Sequence, residues 1–201
     1  LFDSLRSIAQ GVYLLGELSP ASLDAIQGFG ELWSSKIIAT KLASIGIATK
    51  WIDAREIIRT VNKGGKNAVD LQKTYSRVNE MIESHPITQI FVLPGFIASD
   101  KQGRTTTLGR GGSDYSASLF AVGCKARALE IWTDVPGMMT ANPDIVPSAR
   151  TIGNISYKAA LELSHFGAKV IYPPTIQPVV SEGIPIYIKN SNTEYLFRAL
   201  A

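Results

Sequence analysis

Residues 107–114 read Thr-Leu-Gly-Arg-Gly-Gly-Ser-Asp, and this stretch decides most of what the sequence predicts. Clustered glycines let backbone N–H groups approach a ligand closely, and the helix predicted to follow adds partial positive charge at its start. Arg110 adds a planar guanidinium that matches a carboxylate or a phosphate. The stretch lacks the Gly-Lys-Ser/Thr of a Walker loop, and Asp114 replaces the third glycine of a dinucleotide-binding loop. We interpret it as an anion-binding loop; the alternative is a glycine-rich turn with a helix cap.

Predicted strands and helices alternate on both sides of this loop. Long helical patterns separate four predicted strands, at 48–53, 89–93, 126–132 and 185–189. This alternation predicts an α/β fold with a mainly parallel sheet covered by helices. Residues 97–104 are predicted to form the polar tip of a hairpin. Because ligands in such folds bind at the carboxyl ends of the strands, residues that follow a strand are candidates for the site.

The longest predicted helix begins at Ser19-Pro20, since serine can cap a helix and proline suits its first position. Gly46 is predicted to end it, and Phe29-Gly30 is predicted to break it into two helices. The face predicted to be buried carries residues at helical spacing: Leu23, Ile26, Gly30, Trp33 and Ile37.

Three further motifs place polar groups at the ends of predicted elements. Asp134, after a predicted strand and Thr133, can hold a metal or a ribose, or simply open a turn. Lys169 follows a helix stop at Gly167 and can reach a phosphate as a point charge, or remain solvated. Glu31, beside a helix-disrupting glycine, can recognise an ammonium group, or complement the helix dipole.

The composition limits the classes of protein that remain. Of 201 residues, 45% are hydrophobic and 18% are charged, which excludes a chain that is disordered throughout. The apolar runs are far shorter than the roughly 20 residues of a membrane span, and the lone Cys124 excludes a disulfide scaffold. The basic residues behind the net charge of +3 are scattered, so neither nucleic acid nor a membrane is an expected partner. We expect a cytoplasmic protein.

In their order along the chain, these motifs resemble the kinase domain of the aspartokinases, and in particular that of the bifunctional aspartokinase/homoserine dehydrogenases. The resemblance extends from residue 20 onward. Its matching segments are Phe29-Gly30-Glu31, Pro94-Gly95-Phe96, Leu108–Ser116, Trp132–Val135, Ser164–Val170 and Ile188-Lys189-Asn190.

The resemblance implies a three-layer αβα sandwich with a mainly parallel sheet, the amino-acid-kinase or carbamate-kinase-like fold. Residues 1–201 would form part of a single aspartokinase catalytic domain. The implied reaction transfers a phosphoryl group from ATP, with Mg²⁺, to the side-chain carboxylate of L-aspartate and gives 4-phospho-L-aspartate. In that family this is the first step toward lysine, threonine and methionine. Its members self-associate, so a homo-oligomer is expected.

The resemblance also implies roles for individual residues. Glu31 would contact the amino group of aspartate, and Arg110 would clamp a substrate carboxylate. The same pocket would be lined by Phe96, Gly112, Ser113 and Asp114. The nucleotide would be contacted by Thr133, Asp134, Lys169 and Val170. Catalysis would rest on Arg110, Asp114 and Lys169.

The sequence departs from the family pattern in two places. The family's N-terminal Lys-Phe-Gly-Gly loop is not among the 201 residues, and helical spacing of apolar residues starts already at Leu1, so we expect a fragment with little kinase activity. Met139 and Asp144 replace a tyrosine and an arginine of the nucleotide segment. Two alternatives stay open: another enzyme of the amino-acid-kinase fold, acting on glutamate, acetylglutamate or UMP, and a non-catalytic module for ligand binding or assembly.

Overall fold

The computed structural model of the protein describes residues 1–88, 90–135, 137–142, 144–165, 172–191 and 196–199. The chain forms two compact units, Leu1–Ser116 and Ala117–Ala201. The first unit contains helices α1 (Phe2–Leu15), α2 (Pro20–Ser44), α3 (Ala54–Ile57) and α4 (Leu71–Glu83). Its strands are β1 (Thr49–Trp51), β2 (Thr60–Lys63), β3 (Lys66–Val69), β4 (Ile90–Val92), β5 (Ile97–Ser99) and β6 (Thr105–Thr107).

Helix α5 (Gly112–Gly123) begins in the first unit and continues into the second. The second unit then contains strands β7 (Leu129–Thr133), β8 (Ile186–Asn190) and β9 (Leu196–Ala199), with helices α6 (Tyr157–His165) and α7 (Pro173–Ser181) between β7 and β8. No helix among the described residues combines the length and the apolar character that a membrane crossing requires. The mixture of helices and parallel strand pairs confirms the predicted α/β class.

The first unit combines one parallel strand pair with two hairpins. Strand β1 pairs in parallel with β4, while β2 with β3 and β5 with β6 form antiparallel hairpins. A parallel bridge between Arg59 and Ser99 links the segment before β2 to β5. The prediction that all of residues 97–104 form a polar hairpin tip is therefore wrong. Ile97 and Ala98 are fully buried in β5, because this short apolar run packs inside the unit, and only the segment between β5 and β6 forms the tip.

Helix α2 begins where the sequence predicts, because the Ser19 side chain accepts a hydrogen bond from the backbone N–H of Ser22 at 3.1 Å. The predicted break at Phe29-Gly30 is wrong, since the helix continues through both residues to Ser44. Tertiary contacts outweigh the roughly 1 kcal/mol that an interior glycine costs a helix. One such contact is made by Asp24, which accepts a hydrogen bond from the Thr107 hydroxyl at 2.8 Å.

The buried face of α2 also differs from the predicted one. Leu23 and Ile37 are exposed, and the buried residues are Gly28, Phe29, Leu32, Ser35 and Ala39. Small residues on this face let the hairpin approach the helix: a Cβ on Gly28 would lie 3.2 Å from Ile97 Cγ2. The Ser35 hydroxyl, in turn, accepts a hydrogen bond from Trp51 Nε1 at 2.9 Å. The buried face of α2 is therefore determined by how closely its residues let the strands approach, and not by hydrophobicity alone.

The second unit is built on the parallel pair β7 and β8, with β9 antiparallel on the other side of β8. The register places Thr133 opposite Asn190, so both strands end at the same edge. The core of this unit is apolar and includes Leu129, Met138, Ile176, Val179, Ile186 and Ile188.

Replacing Gly30 by alanine is expected to raise the free energy of unfolding by about 0.5–1 kcal/mol, because alanine restricts the unfolded chain and favours the helix. Among the described residues, no heavy atom outside the adjoining residues and the backbone of α2 itself lies within 4 Å of a Cβ built at this glycine. Gly28→Ala is the matched control on the same helix and should destabilise the protein. Urea denaturation of both variants measures the effect, and a destabilised Gly30→Ala variant would contradict the account of α2.

Candidate active site

The glycine loop turns the chain from β6 into helix α5. Gly109 and Gly111 have φ angles of 71° and 68°, a left-handed conformation that other residues adopt only with strain. The Gly112 N–H donates to the Gly109 carbonyl at 3.0 Å, and α5 begins at Gly112. The first turn of a helix carries N–H groups without intrahelical acceptors and a partial positive charge. The predicted anion-binding role of the loop rests on this conformation and on the helix start beside it.

A second loop packs against the start of α5 and is fixed there by the Ser116 side chain. The Phe96 N–H donates to Ser116 Oγ at 3.0 Å, and the same hydroxyl donates to the Gly112 carbonyl at 2.9 Å. The Leu108 N–H donates to the Phe96 carbonyl at 2.9 Å, which closes the base of the β5–β6 hairpin. These bonds hold Phe96 at a φ of 69°, a conformation that costs a residue other than glycine roughly 1–3 kcal/mol.

Two glycines permit this packing through their small size. A Cβ on Gly112 would lie 2.8 Å from Phe96 Cδ2, and a Cβ on Gly95 would lie 3.1 Å from Ser113 Cα. Both distances are too short for a carbon atom without movement of its neighbour. The structure thus brings together Phe96, Gly112 and Ser113, three of the residues predicted to line one pocket.

The charged residues of the predicted pocket have different environments. Arg110 is exposed and lies within the glycine loop, two residues before α5. Asp114 lies in the first turn of α5, where burial raises the pKa of its carboxyl above the ordinary value. A carboxyl that is partly withdrawn from water in a glycine-lined turn is a candidate functional group. Glu31 is half-buried on α2, and its backbone carbonyl accepts a hydrogen bond from the Ser35 hydroxyl at 2.7 Å.

The predicted nucleotide residues lie at the common end of β7 and β8 in the second unit. Thr133 Oγ1 donates to Asp134 Oδ1 at 3.1 Å, and Asn190 Nδ2 donates to the Asp134 carbonyl at 3.3 Å. The Ser191 N–H donates to the Thr133 carbonyl at 2.8 Å. Thr133 and Asp134 are therefore held together at the carboxyl edge of a parallel strand pair, where such folds bind ligands. Lys169 and Val170 lie outside the described residues.

The sequence analysis did not identify three polar residues, one beside the glycine loop and two at the common end of β7 and β8. Ser116 stands inside the matching segment Leu108–Ser116, and its spacing of four from Gly112 on a helix is the signal that could have identified it. Asn190 ends β8 and Ser191 follows it, and the parallel pairing of the two predicted strands could have placed them beside Asp134.

The side chains at the common end of β7 and β8 fit a divalent metal ion only if a bound ligand supplies most of the coordination of that ion. Among the described residues, no group of three or more His, Cys, Asp or Glu side chains is arranged to hold a metal. Asp134 offers one exposed carboxylate at the β7 edge. Mg²⁺ is commonly bound by one or two carboxylates together with substrate phosphates, and this sparse donor set agrees with that mode.

Comparison with known proteins assigns the family. The family model described as "Amino acid kinase family" matches residues 5–190. The chain therefore belongs to the amino acid kinase family. It is 35% identical to lysine-sensitive aspartokinase 3 of Escherichia coli strain K12, an alignment that covers 95% of this chain and 42% of that protein. It is 37% identical to the chloroplastic bifunctional aspartokinase/homoserine dehydrogenase 2 of Arabidopsis thaliana, over 94% of this chain and 20% of that protein.

Solved structures show the same relationship. The crystal structure of E. coli aspartokinase III with aspartate and ADP superimposes with a TM-score of 0.87 at 33% identity, over 99% of this chain and 45% of that one. A UMP kinase from Bacillus anthracis gives a TM-score of 0.59 at 13% identity, over 92% of this chain and 66% of that one, and shares the fold alone. The predicted amino-acid-kinase fold is confirmed, and the chain spans less than half the length of each of these aspartokinases.

Replacing Ser116 by alanine is expected to lower the free energy of unfolding by about 1–3 kcal/mol, because the Phe96 N–H loses its acceptor. The matched control is Ser118→Ala on the same helix. Ser118 is fully buried and its hydroxyl has no hydrogen-bond partner among the described residues, so its loss should be neutral or stabilising. Guanidinium denaturation of both variants tests this, and equal stability of the two would show that the hydroxyl of Ser116 does not hold the loop.

Proposed function

We propose that this chain is part of the catalytic domain of an aspartokinase, which transfers the terminal phosphoryl group of ATP to the side-chain carboxylate of L-aspartate. The identity to named aspartokinases and the similarity to the structure with aspartate and ADP support this proposal. The observation that carries it is the glycine loop at the start of α5, which joins Arg110 to backbone N–H groups on one short segment. The product would be 4-phospho-L-aspartate.

The proposed chemistry requires positioning and charge neutralisation rather than a strong base. A carboxylate is already a nucleophile, so the protein must bring it to a phosphoryl group that is also negatively charged. The guanidinium of Arg110 would bind one substrate carboxylate with two parallel hydrogen bonds. The backbone N–H groups at the start of α5 would stabilise negative charge. Glu31 would bind the ammonium group of aspartate, which distinguishes an amino acid from a plain dicarboxylate.

The nucleotide would bind at the carboxyl edge of β7 and β8. Thr133, Asp134 and the neighbouring Asn190 and Ser191 supply hydroxyl, carboxylate and amide groups there. Asp134 would hold Mg²⁺ jointly with the phosphates of ATP, and the ion when bound would neutralise phosphate charge. Lys169 and Val170 are proposed to complete this part of the site.

Further properties of the whole protein are proposed on the same basis. The reaction would begin the synthesis of lysine, threonine and methionine, and the protein would self-associate. We place it in the cytoplasm, whereas the plant relatives are named as chloroplastic.

Arg110→Ala in the intact protein is expected to lower kcat/KM for L-aspartate by about 100-fold, because a two-pronged charged contact to the carboxylate is lost. KM for ATP should change little. The matched control is Arg104→Ala, which removes an exposed arginine of the neighbouring β5–β6 hairpin whose side chain bonds only to Asp100 among the described residues. A coupled ADP-release assay with varied aspartate measures both variants. Unchanged aspartate kinetics in Arg110→Ala would refute the assigned role.

A further inference from the structure

A cleft of about 520 Å³ in the first unit is lined by residues other than those of the candidate active site. It is bordered by the start of β2, by helix α4 and by Lys101 from the tip of the β5–β6 hairpin. Its charged side chains are four cations and two carboxylates: Arg59, Lys73, Arg77, Lys101, Asp70 and Glu80. The cleft therefore carries an excess of positive charge.

Neither carboxylate neutralises these cations directly. Asp70 Oδ1 accepts a hydrogen bond from the backbone N–H of Lys73 at 3.2 Å and so caps helix α4. Glu80 Oε1 accepts a hydrogen bond from the Ser76 hydroxyl at 3.0 Å. Within the described part of the chain, none of the four cationic side chains forms an ion pair. Because these cations share a cleft and have no paired carboxylate, they favour the binding of an anionic ligand.

Arg59 is the most constrained of the four cations. Its Nη1 donates to Ser99 Oγ at 2.6 Å and to the Asp100 carbonyl at 3.4 Å, which fixes the guanidinium. Its Nε is buried and has no hydrogen-bond partner among the described residues. Burial, and then the neighbouring Arg77, lower the pKa of Arg59 more than the carboxylates of Glu56 and Asp100 raise it. A fixed guanidinium beside a second one is a typical anion-binding arrangement.

The shape and lining of the cleft indicate the class of anion. Its volume lies in the range of small-molecule sites and exceeds what a single inorganic anion needs. None of the described lining residues is aromatic, so nucleic-acid bases would find no stacking surface. Asp70 and Glu80 would repel an extended polyanion, whereas a compact one can lie among the cations.

We propose that this cleft binds a small organic phosphate, whose phosphate group lies among Arg59, Lys73, Arg77 and Lys101. The proposal does not depend on the reaction assigned to the protein. Arg59 also contacts β5, which follows Phe96 directly, so an occupied cleft would stabilise the hairpin that leads into the candidate active site.

Calorimetric titration of the intact protein with ribose 5-phosphate tests the proposal. Ribose serves as the uncharged analogue and citrate as a carboxylate of high charge. The decisive variant is Lys73→Gln/Lys101→Gln, because both side chains are exposed and no hydrogen bond of either side chain is found among the described residues. It should weaken binding of ribose 5-phosphate by about tenfold or more, since two cationic partners are lost.

The matched control is Lys41→Gln/Lys158→Gln, which removes the same charge from exposed positions that do not line the cleft. It should retain the affinity of the unaltered protein, and so should Arg110→Ala. Absence of binding, equal weakening in both double variants, loss of binding in Arg110→Ala, or citrate binding as tight as that of ribose 5-phosphate would each overturn the proposal.

Discussion

The hydroxyl group of Ser116 joins the two loops on which the candidate active site depends. It accepts the N–H of Phe96 and donates to the carbonyl of Gly112, so it links the segment before β5 to the first turn of α5. Because this hydroxyl is buried, both bonds are shielded from competing water. They hold Phe96 in a strained conformation, and they place its ring where only a glycine fits at position 112. The glycine loop is therefore fixed before any ligand arrives, as pre-organised catalytic sites require.

The β5–β6 hairpin connects these two loops to the rest of the first unit. Phe96 precedes β5 and Leu108 follows β6, and the bond between their backbones closes the hairpin. Thr107 at the end of β6 binds Asp24 of α2, the helix that also carries Glu31. At the far side of the hairpin, Ser99 of β5 accepts a hydrogen bond from Arg59 of the cationic cleft. One short hairpin thus connects the glycine loop, the helix of Glu31 and the proposed phosphate cleft.

Local signals in the sequence predicted the ends of the elements better than their packing. Ser19 caps α2 as predicted, because capping is an interaction between neighbours in the chain, and Asp70 caps α4 in the same way. The continuity of α2 through Gly30 depends on contacts with β6, which no local pattern contains. The role of Ser116 likewise depends on a residue 20 positions away. The glycine-rich turn before α5 was predictable because its glycines stand in one contiguous segment, whereas grouping the residues of the candidate site requires the fold.

We propose that the hydroxyl of Ser116 holds the two loops of the proposed aspartate pocket. Calorimetric titration of the intact protein with L-aspartate and, separately, with ADP tests it most directly in the Ser116→Ala and Ser118→Ala variants. We expect Ser116→Ala to weaken aspartate binding by about tenfold while ADP affinity is retained, and Ser118→Ala to change neither affinity. Unchanged aspartate affinity in Ser116→Ala, in a folded protein, would contradict it.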